Sequence, residues 1–150
     1  MLKISIGADH AGFSLKQVLK GYLQDHGYVV EDFGCVDSQA VDYPDPGFAT
    51  AENVAAGKSD FGILICATGL GMCMVANKVK GVRAGLCNSI ETARLTRQHN
   101  DANVLCLSSK FSTKEEIIDL VNVFLSEKFS NDERHVRRVN KIINYENKNK

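Results

Sequence analysis

The five cysteines of this 150-residue chain, at positions 35, 66, 73, 87 and 106, include no Cys-x-x-Cys pair. That absence removes zinc-type spacing and with it a structural metal site, and it disfavours a thiol redox motif. The odd count argues against a disulfide framework. An excess of charge of either sign is also missing: eighteen Lys and Arg balance eighteen Asp and Glu. No global field therefore draws the chain to nucleic acid or to a membrane surface. It has no basic stripe interleaved with aromatics, which excludes nucleic acid as a partner. No apolar run approaches the roughly 20 residues that span a bilayer. The opening Met1–Gly7 lacks the long apolar core of a leader and reads as a strand, so a cytoplasmic protein is expected. There is no internal repeat.

What is present is an ordinary globular composition, 44% hydrophobic and 24% charged, long enough for a single domain over residues 1–150. Strand-like and helix-like segments alternate. Strands are expected at Lys3–Ile6, Tyr28–Phe33, Phe61–Cys66, Val82–Cys87 and Val104–Leu107. Leu15, Val18, Leu19, Tyr22 and Leu23 recur at helical spacing and Gly27 stops that helix. Pro46 opens a helix to about Ala56, and another covers Leu70–Lys78. Ser89 caps one ending near His99, and Ser112 to Glu115 has the form of a capping box before the next. A last, basic helix is expected at Glu133–Tyr145, in a region of about 131–146 that packs on a partner subunit. The tail Asn147–Lys150 reads as disordered. Such alternation implies parallel pairing: an α/β fold, a Rossmann-like three-layer αβα sandwich on a five-stranded parallel sheet, with an extra C-terminal helix.

The most informative segment is Gly62 to Met72, Gly-Ile-Leu-Ile-Cys-Ala-Thr-Gly-Leu-Gly-Met. A buried strand ends in Cys66, then Thr68 and the Gly69-Leu70-Gly71 turn bring a hydroxyl and bare backbone amides to the carboxyl end of the strand. Ligands bind at that edge of open α/β sheets. The third glycine of a dinucleotide fingerprint is replaced by Met74, and the next strand does not end in an acid, so the turn suits a small anion or oxyanion rather than a dinucleotide. Cys66 alone is as consistent with an inert core thiol as with a base or nucleophile. Asp9-His10 follows the first strand at the same edge, where Asp9 is either a helix cap or a site residue. His99, with Asn100, lies nominally at the opposite edge; it either favours a helix C-terminus or reaches another subunit's site. Arg134 and Arg138, four apart on one helix face, form either a phosphate clamp or a solvated basic face. His26 is assigned no role.

Gly7-Ala-Asp-His10-Ala-Gly-Phe, Asp42-Tyr43-Pro44, Gly62 to Gly71, Ala76-Asn-Lys78, Arg97-Gln-His-Asn-Asp101-Ala-Asn-Val-Leu and Arg134-His-x-x-Arg138-Val resemble, in this order, ribose-5-phosphate isomerase type B, within the wider RpiB, LacA and LacB group of sugar-phosphate isomerases. The resemblance runs from the first strand to the last helix. It implies a homodimer, sometimes paired into a tetramer, with active sites between subunits, a sugar-phosphate substrate and no cofactor or metal. The implied reaction is aldose–ketose interconversion of ribose 5-phosphate and ribulose 5-phosphate through an enediolate, in pentose phosphate metabolism.

By the same resemblance Cys66 is the general base, with Thr68 supporting it or the reacting oxygens. Amides around Gly69 and Gly71 hold the enediolate charge. Asp9 and His99 open the sugar ring, with His99 and Asn100 supplied by the other subunit. Tyr43 lines the sugar pocket, and His10, Arg134 and Arg138 bind the phosphate. Two departures stand out. Lys110 occupies a place where many members carry arginine, keeping the charge but losing the bidentate fork. The Met72-Cys73-Met74 stretch lacks the glutamate that some relatives use as base, which favours Cys66 and leaves Cys73 without a role. A six-carbon sugar phosphate, galactose 6-phosphate or allose 6-phosphate, remains an alternative substrate, and a non-catalytic phosphosugar-binding protein a further one.

Overall fold

The structure, a computed structural model, describes residues 1–148. Its strands are β1 (Lys3–Ala8), β2 (Val29–Asp32), β3 (Phe61–Cys66), β4 (Ala84–Leu86) and β5 (Val104–Ser108). Helices α1 (Phe13–Asp25), α2 (Pro44–Ala55), α3 (Leu70–Ala76), α4 (Ile90–Asn100) and α5 (Lys114–Ser126) connect or follow them, and α6 (Glu133–Lys148) closes the chain. All pairings are parallel, in the order β2-β1-β3-β5-β4.

Side chains alternate across the central strands, so the sheet has two apolar faces. Ile4, Ile6, Ala8, Ile63, Ile65, Leu105 and Leu107 pack with Leu19 and Leu23 of α1, Ala93 of α4 and Ile117, Val121 and Phe124 of α5. Leu64, Cys66, Val104 and Cys106 face the other way, onto Ala51 and Val54 of α2 and Met72 and Ala76 of α3. The connections leaving β1 and β3 therefore run to opposite faces. That reversal opens a crevice at the carboxyl ends of these neighbouring strands.

The boundaries differ from the sequence expectation in informative places. Helix α4 is capped by Ser89 as expected, reciprocally with Thr92. The box before α5 is formed by Thr113 and Glu116, one residue later than Ser112 and Glu115: Thr113 Oγ1 accepts the Glu116 N–H and Glu116 Oε1 accepts the Thr113 N–H. Val82 lies in a turn, its N–H bonded to Val79 O, which shortens β4. Asn147 and Lys148 continue α6 instead of fraying, whereas 149–150 lie outside the described residues.

On α1 the buried positions are Lys16, Leu19 and Leu23, while Val18 is exposed. Lys16, only 1% exposed, lies on the inward face because its ammonium meets Asp32 at the end of β2, at 2.6 and 2.8 Å. Lys20 and the Gly34 N–H bind the same carboxylate. Burial pushes the Asp32 carboxyl up, but these hydrogen bonds and the Lys16 charge outweigh it and hold the group below its ordinary 3.8. A carboxylate held low stabilises the fold at pH values above its unfolded-state value, and the contribution drains away as pH falls through the lower folded-state value. Asp32→Asn strands the Lys16 ammonium in the interior. Urea titration at neutral pH is expected to show a loss on the order of 3 kcal/mol, and a smaller difference from the parent chain in acid. An unchanged midpoint at neutral pH would refute the pairing.

Candidate functional site

The strand β3 delivers Cys66 to the crevice with its side chain toward α2 and α3, 5% exposed. The chain then turns through Gly69, whose φ of 78° lies in the left-handed region and which caps α3. The turn aims the Gly69 N–H at Cys66 Sγ, 3.2 Å away. A donor fixed on the sulfur is in place for the charge left when the thiol gives up its proton. Thr68 Oγ1 accepts the Leu70 N–H at 3.2 Å. Of the three amides expected to serve an oxyanion, two are thus engaged by the site's own side chains. Gly71 N–H, in the first turn of α3, has no acceptor among the described residues.

The neighbouring loops complete this edge. Asp9 is 8% exposed; its N–H reaches Ile65 O on β3 at 3.3 Å, and its Oδ1 accepts the Gly12 N–H at 3.1 Å. It supports the start of α1 from one turn back, while Gly12 is the cap itself. His10 is exposed, and its Nδ1 accepts the Val41 N–H at 3.3 Å, tying this loop to the segment that leads to Tyr43. The Tyr43 ring lies flush on Gly71: a Cβ at that glycine would sit 2.5 Å from Tyr43 Cε1. Beyond β5, Lys110 donates its N–H to Ala67 O at 2.9 Å, and its exposed side chain lies beside the same turn. Asp9, His10, Tyr43, Cys66, Thr68, Gly69 and Gly71 therefore share one edge, with Lys110 at its margin.

The remaining sequence candidates gather elsewhere. His99 and Asn100 end α4 just before β5, whose approach residue Asn103 accepts the Gly62 N–H at the start of β3. The two ends of the six-residue β3 are about 17 Å apart at roughly 3.3 Å per residue, so His99 and Cys66 of one chain lie at opposite edges. Arg134 and Arg138 are exposed on α6, which packs on α4. A cavity of about 580 Å³ between α3, β4, α4 and α6 is lined by Asn77, Arg83, Thr96, Asn100 and Tyr145 among others, and by none of the residues around Cys66.

Two residues that sequence reasoning left without a role shape this second cluster. His135 is buried against His99, the ring centroids 4.2 Å apart, and its Nδ1 lies 2.7 Å from Ser130 Oγ. Desolvation and then the neighbouring His99 hold the His135 ring below its ordinary 6.5. Arg97, also buried, lies 4.9 Å from the Phe61 ring centroid and 5.7 Å from that of Phe124. It donates to Ala102 O at 2.7 Å and to Asp101 Oδ1 at 3.0 Å, fixing the turn after His99 and Asn100. The spacing of His135 and Val139, one turn apart on the buried stripe of α6, is the signal that marks His135 as inward. No group of three or more His, Cys, Asp or Glu among the described residues is arranged to hold a metal ion.

The chain matches the family described as Ribose/Galactose Isomerase over residues 4–142. It is 49% identical over 145 residues to the probable ribose-5-phosphate isomerase B of Mycoplasma genitalium, covering 95% of each chain. Among solved structures, it superposes on ribose-5-phosphate isomerase B of Clostridium thermocellum with a TM-score of 0.97 at 44% identity, over 99% of this chain and 100% of that one. The Mycoplasma genitalium ribose-5-phosphate isomerase B with bound ribulose-5-phosphate superposes with a TM-score of 0.93 at 48% identity, over 97% and 96% of the two chains.

The Gly69 turn leaves no room for a side chain, since an added Cβ would lie 2.4 Å from Leu86 Cδ1 and 3.1 Å from the Leu107 carbonyl. Gly69→Ala combines that clash with a left-handed φ and is expected to cost about 2 kcal/mol in urea titration. Undiminished stability would show that the turn tolerates another backbone conformation.

Proposed function

Because the chain belongs to the ribose/galactose isomerase family, we propose that it is an aldose–ketose isomerase interconverting ribose 5-phosphate and ribulose 5-phosphate. The observation that carries the reading is the Cys66 thiol, held by the Gly69 N–H in a crevice that also receives Asp9, His10 and Tyr43. The related Mycoplasma genitalium protein with bound ribulose-5-phosphate supports the five-carbon substrate.

The family resemblance supplies the roles, and the positions support them as follows. Opening the sugar ring requires a proton to leave the C1 hydroxyl and another to reach the ring oxygen; Asp9 and His99 fill these roles. Cys66, as thiolate, takes the proton from C2. The electron pair moves into the C1–C2 bond and negative charge settles on the carbonyl oxygen, giving an enediolate. The Gly71 N–H is the donor of the turn left for that oxygen, and Thr68 steadies the loop through the Leu70 amide. The O2 proton passes to O1 within the enediolate, and return of the proton from Cys66 to C1, with C2=O forming as the double bond is lost, leaves the ketose. His10 holds the phosphate together with Arg134 and Arg138, whose forks suit its oxygens. Lys110 stands at the margin of the same edge and adds a compact charge there.

One chain keeps His99 and Asn100 at the edge opposite Cys66, with the roughly 17 Å of β3 between the two edges, and carries Arg134 and Arg138 on the helix that packs against α4. A homodimer in which each chain lends its α4 end and α6 to the other's crevice removes the gap. Exposed Tyr43, Phe48, Leu70 and Met74 beside the crevice give such a partner an apolar seat. Pairing of two dimers would give the tetramer.

The decisive experiment compares kcat/KM of the purified protein on ribose 5-phosphate, allose 6-phosphate and galactose 6-phosphate. A preference of at least about tenfold for the pentose phosphate is expected, equivalent to roughly 1.4 kcal/mol in the transition state. Preference for a hexose phosphate would move the substrate assignment. No turnover on any of the three would leave a phosphosugar-binding protein. Cys66→Ala is expected to lower kcat by at least about a hundredfold, while calorimetry shows substrate affinity within a few-fold of the parent. Full activity in that variant would remove Cys66 as the base.

A further inference from the structure

Half-buried His99 stands in the last turn of α4, and its ring makes no hydrogen bond to any described residue. The final torsion of a histidine side chain has broad preferences, so such a ring does not fix its own plane. A neighbour on α6 fixes it from outside. His135, 6% exposed, lays its ring against that of His99, with the centroids 4.2 Å apart and the planes tilted by 34°. His135 is itself tied down: its Nδ1 lies 2.7 Å from Ser130 Oγ, and its backbone N–H reaches Asp132 O at 2.9 Å. The Ser130 N–H in turn donates to Gln98 O, the carbonyl next to His99, at 3.0 Å. A closed path therefore runs from the α4 backbone through Ser130 and His135 back to the His99 ring.

We propose that His135 is a positioning residue for ring opening: anchored by Ser130, its imidazole sets the plane of the His99 ring that opens the sugar. This rests on the isomerase reading and adds to it a group that acts through His99 without touching the substrate. Both rings belong to one chain, so the pair enters the partner's crevice as a unit.

The charges around His135 support the assignment. Desolvation, then His99 and Arg134, hold its ring below the ordinary 6.5, with Arg138 adding to the effect and Asp132 opposing it. The ring is therefore uncharged near neutral pH, and it adds no repulsion when His99 carries a proton to or from the sugar. Ser130 Oγ already accepts the Asp132 N–H at 3.1 Å, which turns its hydroxyl proton toward His135 Nδ1. A neutral ring that accepts at Nδ1 carries its hydrogen on Nε2.

A purely structural role would look different. His135 and Val139 form the buried stripe of α6, the helix that also carries Arg134 and Arg138. If His135 served only to dock that helix, its loss would move both arginines and raise KM through the phosphate. Loss of the His99 ring plane slows opening of the bound aldose and appears in kcat. The substrate pair separates the steps further. Ribulose 5-phosphate has its 5-oxygen esterified, cannot close a five-membered ring onto C2, and meets the protein already open. In heavy water Cys66 takes a C1 proton from it, the thiol exchanges with solvent, and a deuteron returns to C1. That cycle involves neither ring opening nor ring closure.

The test compares the native, assembled parent with His135→Ala, Ser130→Ala and Ser130→Thr. His135→Ala is expected to lower kcat on ribose 5-phosphate at least about tenfold, with KM within about threefold of the parent. Deuterium entry at C1 of ribulose 5-phosphate should stay within about twofold, so the ratio of exchange to isomerisation rises by roughly the factor lost in kcat. Ser130→Ala should move that ratio the same way by about threefold, and Ser130→Thr, which restores the hydroxyl, should bring it back. Should His135→Ala fail to fold, the two Ser130 variants decide. Undiminished kcat in the deciding variant, a rise in KM alone, or equal losses of exchange and turnover would overturn the proposal and leave the isomerase reading standing. A parent with no turnover on ribose 5-phosphate would overturn that reading and this one with it.

Discussion

A β-strand cannot bring its own ends together, and the functional reading of this chain depends on that rigidity. The same six residues that bury Ile63, Leu64 and Ile65 hold Cys66 away from the turn where α4 ends. Packing on both faces leaves the sheet no way to fold over and close the distance. The groups beside Cys66 can remove a proton and receive the resulting charge. The groups on α4 and α6 supply imidazole and guanidinium. Neither set resembles a complete sugar-phosphate site by itself, and a second copy is the simplest source of the missing half.

Each half is held by its own local device. Beside Cys66 the device is backbone geometry: the left-handed turn at Gly69 converts a helix start into a donor for sulfur, and Tyr43 packs closely on Gly71. At the other end it is buried side-chain chemistry. Arg97 lies between the rings of Phe61 and Phe124 and holds the backbone after His99, while His135 backs the His99 ring. Both devices place the candidate groups on rigid elements.

The core of this arrangement was legible in residues. Phe61–Cys66 reads as a strand from its continuous apolar run, because it is covered on both faces, and the structure returns the same bounds. The Thr-Gly-Leu-Gly turn and Asp9-His10 follow strands directly and so fall at one edge. What sequence hid was anything decided by partners distant in the chain. Lys16 reads as polar and exposed until Asp32 closes on it, and Val18 then takes the outward position. Ser112/Glu115 and Thr113/Glu116 both satisfy the capping spacing, and only backbone geometry selects the second. His135 was embedded in a basic run whose charge concealed its inward face. The amides of the glycine turn looked equally available, yet the side chains of Cys66 and Thr68 take two of them.

The separation set by β3 also bears on how output scales with the amount of protein. If every working crevice needs two chains, then assembly is a reactant in catalysis, and specific activity falls when dilution takes the chain below its self-affinity. A self-contained site has no such threshold. With shared crevices inheritance would be affected too: a chain damaged only at His99 would keep its own crevice sound and disable its neighbour's. In a mixed population the fault would appear in the healthy copy.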